Sequence, residues 1–174
     1  RGNPGGLLHE AVNLTNIFID QNNEIVSTKG KIAEMQSTHR TKRRADDMNI
    51  PLIVLTNGGS ASASEIVAGA VQDLDRGVIL GGKTFGKGLV QNTRPLPYNT
   101  QMKVTTAKYY IPSGRCIQAI NYSEKNPDGS VKKVADSLKM PFKTKAGRIV
   151  YDGGGIDPDM KTKSAFLAPI VYYL

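Results

Sequence analysis

The chain has 174 residues, 39% of them hydrophobic and 22% charged, with a formal net charge of +8. That length suits one domain or most of one with a real core, and the composition excludes a wholly disordered chain. A single cysteine, Cys116, and two histidines, His9 and His39, exclude an intrachain disulfide framework and a multi-cysteine zinc site; neither a metal nor a cofactor is expected. No apolar run approaches a membrane span, and the longest, Pro51 to Leu55 and Ala165 to Val171, read as buried strands or packed tails.

The opening Arg1-Gly2-Asn3-Pro4-Gly5-Gly6 has no initiator Met and no basic leader ahead of an apolar segment, so a processed or excised piece is expected. Leu7, Leu8, Ala11, Val12, Thr15 and Phe18 then recur at three- and four-residue spacings, which predicts an amphipathic helix. Glu24 to Thr28 reads as a short strand. Residues 29–49 turn polar and basic, around His39-Arg40-Thr41-Lys42-Arg43-Arg44, and read as a mobile surface loop with one short helical turn near Ile32 to Met35. The basic run has no interleaved aromatics and precedes Asp46 and Asp47, so a solvated face is favoured over a nucleic-acid patch.

Pro51 to Thr56 is a continuous apolar run closed by Asn57-Gly58-Gly59, the pattern of a strand covered on both faces. A helix carrying Ile66, Val67, Ala70, Val71 and Leu74 on one side should follow, then the strand Val78-Ile79-Leu80. Strand, crossover helix and strand make a βαβ unit, hence an α/β fold with a partly parallel sheet. Leu89-Val90 and Met102 to Tyr110 have strand character, and beyond Ile120 the chain reads as loop.

Gly77 to Thr84 formally satisfies the phosphate-loop pattern G-x-x-x-x-G-K-[ST], but its variable positions are themselves a strand and Phe85-Gly86-Lys87-Gly88 supplies no helix, so the match is rejected. Asn57 to Glu65 joins a buried strand to a helix through small residues, as a nucleophile elbow does. Ser62-Ala63-Ser64-Glu65 is equally a capping box, in which the hydroxyl merely satisfies an orphan amide. Neither histidine is tied by sequence to this stretch. A lysine can act as base when neutral, which requires lowering its pKa from about 10.4 towards 7, roughly 4 to 5 kcal/mol of differential interaction. Lys87 has the setting for that, with Phe85 and Leu89 as apolar cover, glycines on either side, and Gln91 on the same side of an extended segment; the alternative is a solvated loop lysine.

Three stretches taken together, Arg1 to Gly6, Gly59 to Ile66, and Thr84 to Gly88 with Gln91, resemble the carboxyl-terminal processing peptidases, also called tail-specific proteases. The similarity runs to about Ile120 and resumes at Gly147-Arg148 and Gly153 to Asp159. The resemblance implies Ser62 as nucleophile, Lys87 as general base, Gln91 as its assistant, and an oxyanion hole from the Ala63 amide and one in the opening glycine turn, Gly5 in preference to Gly6. It implies a Clp-protease/crotonase-like core, proteins with unstructured apolar C-terminal tails as substrates, and a bacterial cell envelope, periplasmic setting. Residues 1–174 would then be the C-terminal portion of the catalytic domain, lacking an upstream strand and PDZ domain, with residues 123–174 as a subgroup-specific extension. A non-catalytic peptide-binding scaffold is the rival reading; no nucleic acid is expected, a homo-oligomer is left open, and Cys116 reads as a packing residue.

Overall fold

The computed structural model describes residues 1–163, so the apolar run Ala165 to Val171 lies outside the described residues. The first amphipathic pattern forms helix α1 (Leu8–Asn16), buried through Ala11, Val12 and Thr15 at helical spacing. Strand β1 (Glu24–Gly30) follows and extends two residues past its expected end. A single 3-10 turn occupies Ala33–Met35, near the helical turn expected there.

The segment read as a mobile basic loop is in part a strand. β2 (Ser37–Arg40) pairs antiparallel with β1, with Glu24 opposite Arg40 and Thr28 opposite Ser37. Its side chains are mostly exposed, so the hydrophobic alternation that marks a half-buried strand is missing. The register is held by polar contacts instead: Thr28 Oγ1 and Ser37 Oγ lie 2.9 Å apart, and Arg40 pairs with Glu24 at 3.0 Å.

β3 (Ile53–Thr56), α2 (Ala63–Asp73) and β4 (Val78–Gly81) form the expected βαβ unit. β3 and β4 run parallel, with Ile53 opposite Val78 and Thr56 opposite Gly81. β11 (Met160–Lys161) adds in parallel on the far side of β4, so β3 is an edge of this three-stranded sheet. The expectation of two covered faces fails for β3, because Ile53 and Leu55 are 60% and 55% exposed. Only one face meets the helix layer.

β5 (Leu89–Pro95) and β6 (Gln101–Tyr110) form a long antiparallel hairpin that joins β1 and β2 in the order β2-β1-β6-β5. The region read as loop beyond Ile120 holds β7 (Ile120–Lys125) paired with β8 (Val131–Lys133), and β9 (Pro141–Lys143) paired with β10 (Ile149–Tyr151). Helix α2 lies at the centre. Its Ile66 and Val71 bury against Ile25 and Val26 of β1, Ile79 of β4, and Ile111, Ile117 and Ile156 from the connections, all 1% exposed or less. Each such aliphatic side chain contributes roughly 1.5–3 kcal/mol by leaving water, so α2, which Ser62 caps, is firmly anchored in the core.

Candidate active site

The small residues between β3 and α2 allow a sharp turn, and the turn is strained at one place. Ser62 has φ 58° and ψ −121°, a conformation that L side chains avoid and that nucleophile elbows use to lift a hydroxyl out of the chain. The three serines of this stretch differ in what holds them. Ser60 is buried, and its hydroxyl accepts from the Asn57 N–H at 3.2 Å. The Ser64 hydroxyl donates to the Asn3 carbonyl at 2.8 Å. Ser62 is half-buried and lines a cavity of about 390 Å³.

Ser62 and Glu65 also face one another as a capping box. The Ser62 N–H donates to Glu65 Oε2 at 2.8 Å, while the Glu65 N–H aims its bond at the Ser62 carbonyl, also 2.8 Å. Cap and candidate nucleophile are therefore one residue, with the backbone rather than the hydroxyl as the well-aligned partner.

Glu65 is fully buried and gathers the site. Its Oε1 accepts from Thr84 Oγ1 at 2.5 Å and from the Gly86 N–H at 2.7 Å; its Oε2 accepts from the Lys87 N–H at 2.9 Å as well as from Ser62. One carboxylate thus ties the serine turn to the lysine loop through neutral donors. Gly86 needs its missing side chain here, since at φ 86° a Cβ would stand 2.4 Å from that of Ala119. The Tyr109 hydroxyl donates to the Lys87 carbonyl and stands beside the Ser62 hydroxyl. Burial, then the nearby Glu65 charge, pushes this phenol far above its ordinary range, so it stays protonated and serves as a donor.

Lys87 and Gln91 line the same cavity as Ser62, with Ala63, Gly6, Leu8, Ile66 and Leu89. The expected apolar cover over the lysine is not formed. Lys87 is exposed, Phe85 is 53% exposed, and no hydrogen bond joins Lys87 Nζ to Ser62 Oγ among the described residues. A bulge between Val90 and Gln91 interrupts the simple alternation that puts Gln91 on the lysine's side, yet both side chains reach one cavity. His9 and His39 line a different cavity, of about 310 Å³.

The opening glycine turn packs directly on the serine turn. A Cβ on Gly5, at φ 96°, would lie 2.6 Å from the Ala61 carbonyl and 2.8 Å from the Ala63 nitrogen. The Ala61 N–H donates to the Asn3 carbonyl at 3.0 Å, holding the two turns together. The Gly5 N–H is occupied by Asn3 Oδ1 at 2.9 Å, whereas the Gly6 and Ala63 amides have no partner among the described residues. Free amides at a helix start are suited to developing negative charge. Among the described residues no cluster of side chains could hold a metal ion, and no helix is long and apolar enough to cross a membrane. Glu65, Thr84 and Tyr109 were not singled out by the sequence as site residues; the S-x-x-E spacing was the only signal for Glu65.

The Peptidase family S41 profile matches residues 1–131. The chain is 50% identical over 122 residues to the carboxy-terminal-processing protease of Bartonella bacilliformis, covering 69% of this chain and 27% of that protein. It is 36% identical over 176 residues to a CtpA-like serine protease of Staphylococcus saprophyticus, covering 100% of this chain and 34% of that one. A solved structure of a photosystem II D1 C-terminal processing protease superposes with a TM-score of 0.67 at 29% identity, over 93% of this chain and 33% of that one. The chain therefore spans about a third or less of the length of these relatives. With the strained serine, the lysine loop and the glycine turn assembled as described, and with three quarters of its length under the family profile, the chain belongs to peptidase family S41.

Proposed function

We propose that this chain supplies the catalytic centre of a serine endopeptidase working through a Ser62–Lys87 dyad, on a Clp-protease/crotonase-like core. The observation that carries the reading is the single cavity lined by Ser62, Lys87, Gln91, Gly6 and Ala63, the last two with amides that have no partner among the described residues. In the reaction, the neutral Lys87 amine takes the Ser62 proton and the oxygen attacks a peptide carbonyl. The Ala63 and Gly6 amides hold the resulting oxyanion, Gly6 being preferred to Gly5 because its N–H is free. Lys87 then protonates the departing amine and activates water for deacylation. Gln91 orients the lysine.

The lysine is exposed, so in this reading the substrate supplies the desolvation. An apolar, unstructured tail laid over Leu8, Ile66 and Leu89 excludes water from the amine and favours its neutral form. The setting proposed is a bacterial periplasm, and substrates are proteins with apolar C-terminal tails.

The test compares Ser62→Ala, Ser60→Ala and Lys87→Ala in the full-length polypeptide against a protein with an apolar unstructured tail. Ser62→Ala is expected to lose at least about 10³-fold in kcat and Lys87→Ala about 10²- to 10⁴-fold. Ser60→Ala should retain turnover once corrected for stability. Equal cleavage by all three overturns the dyad.

A further inference from the structure

From Arg76 to Ser123 the chain contains no Asp and no Glu, although it carries seven Lys or Arg residues. Three of the seven are accommodated within the fold. Arg76 donates to the carbonyls of Phe18, Asp47 and Ile50, Lys83 pairs with Asp157, and the buried Arg115 pairs with Asp73. The other four, Lys87, Arg94, Lys103 and Lys108, lie on β5, β6 and the loop leading into them. None of the four forms an ion pair among the described residues.

Lys103 lines the same cavity as Ser62 and Lys87, and among the described residues no carboxylate lines that cavity. Two lysines share one cleft whose neighbouring carboxylate, the buried Glu65, is already taken up by neutral donors on Ser62, Thr84, Gly86 and Lys87, an arrangement that leaves Lys103 open to a negative group from outside. The offset of Lys103 from Gln91 follows from the hairpin register. Gln91 faces Thr105, and Lys103 faces Thr93, two residues further along β5. At the rise of an extended strand that offset is about 7 Å, the length of roughly two residues of an extended substrate. The apolar walls, Leu8, Ile66, Leu89 and Val90, suit a peptide better than a small anion.

We propose that Lys103 is a specificity residue that receives a substrate carboxylate two or three residues from the scissile bond. The inference rests on the peptidase reading above. The chain-terminal α-carboxylate and an acidic side chain offer Lys103 the same chemistry. Either one sets how far from the charged group the chain is cut.

The experiment uses the full-length polypeptide and matched peptides that it cleaves. One pair ends two or three residues past the cut as a free acid or as an amide. A second pair is amidated, extends further, and carries Glu or Gln at that distance on either side of the cut. For at least one pair, the charged member should have a kcat/KM about two- to fivefold higher, chiefly through KM, the range set by an exposed ion pair. The pair that responds identifies the source of the carboxylate. Lys103→Ala should bring that ratio to one, Lys103→Glu should invert it, and Lys103→Arg should keep it. A ratio of one in the unaltered protein, or a ratio that survives Lys103→Ala, overturns the inference. Those results leave the peptidase reading standing so long as Ser62→Ala is inactive on the same peptides; a Ser62→Ala variant as active as the parent sinks that reading instead.

Discussion

Helix α2 has a buried carboxylate near each end, and the fold uses the two in opposite ways. Glu65, in the first turn, accepts only from neutral donors on Ser62, Thr84, Gly86 and Lys87. Asp73, at the last residue, is ion-paired with Arg115 at 2.8 Å, both side chains 1% exposed or less, and accepts from the Ser113 N–H at 3.0 Å. The helix macrodipole favours negative charge at the first position and opposes it at the second, so Asp73 needs a cation where Glu65 does not. A carboxylate satisfied by amides and a hydroxyl can position a reaction centre without placing a competing ion pair in it. A carboxylate satisfied by an arginine can fasten a distant segment. Around Asp73 that fastening extends to Gln72, which holds Arg115 at 2.8 Å, and to Arg148, which bonds Asp75, Asp159 and the Gln72 carbonyl.

The division can be broken most forcefully at the ion-paired end. Arg115→Met leaves Asp73 buried without its cation and should cost about 3–5 kcal/mol, read as a lowered urea midpoint. Below its unfolding transition this variant should keep its kcat, because the serine turn lies at the other end of the helix. An equal fall in kcat and stability would mean that the two ends are not independent.

At the other end, Glu65→Gln sharpens the contrast. Whichever way its amide is turned, the NH2 group faces two donors that the carboxylate accepted, and the serine turn and lysine loop lose their common fixture. Turnover should fall at least about 10²-fold, with a smaller loss of stability than in Arg115→Met; unchanged turnover would show that the two loops are held by other contacts.

The smallest effect concerns Asp75. Burial pushes its carboxyl up, but the Ala146 N–H and the Arg148 guanidinium outweigh that and hold it below the ordinary carboxylate range. A depressed carboxylate contributes stability above its unfolded pKa, and the contribution is lost as pH falls through the folded value. For this partly exposed pair the loss should be about 0.5 kcal/mol or less. Asp75→Asn should therefore flatten the acid limb of the stability profile while leaving stability near pH 7 slightly lower. An acid limb unchanged by the substitution would remove Asp75 from the account.

How much of this was legible in the chain depended on whether an element buries an apolar face. α1, α2 and the β3-α2-β4 unit were legible because their apolar spacing reports a buried face directly. The β2 strand and the β7–β8 and β9–β10 hairpins were not, since they are short and largely exposed, so the alternation that reports a half-buried strand is missing even though their partners are near in the chain. The exposed apolar face of β3 misled for a different reason: an apolar run reports what a strand is able to bury, and what covers it is a matter of neighbours.

By itself the sequence determined the local chemistry of the site: small residues that permit a strained serine, a glycine-flanked lysine, and a helix start with free amides. Only the tertiary structure decided that Ser62 rather than Ser60 or Ser64 lines the cavity with Lys87, that among the described residues Gly6 rather than Gly5 keeps a free N–H, and that Glu65 joins the lysine loop to the serine turn while Tyr109 bonds the Lys87 carbonyl. The physical reason is distance along the chain. A hydroxyl or amide becomes available or occupied according to donors and acceptors that folding brings to it, and those of Glu65 on the lysine loop come from 19 to 22 residues away.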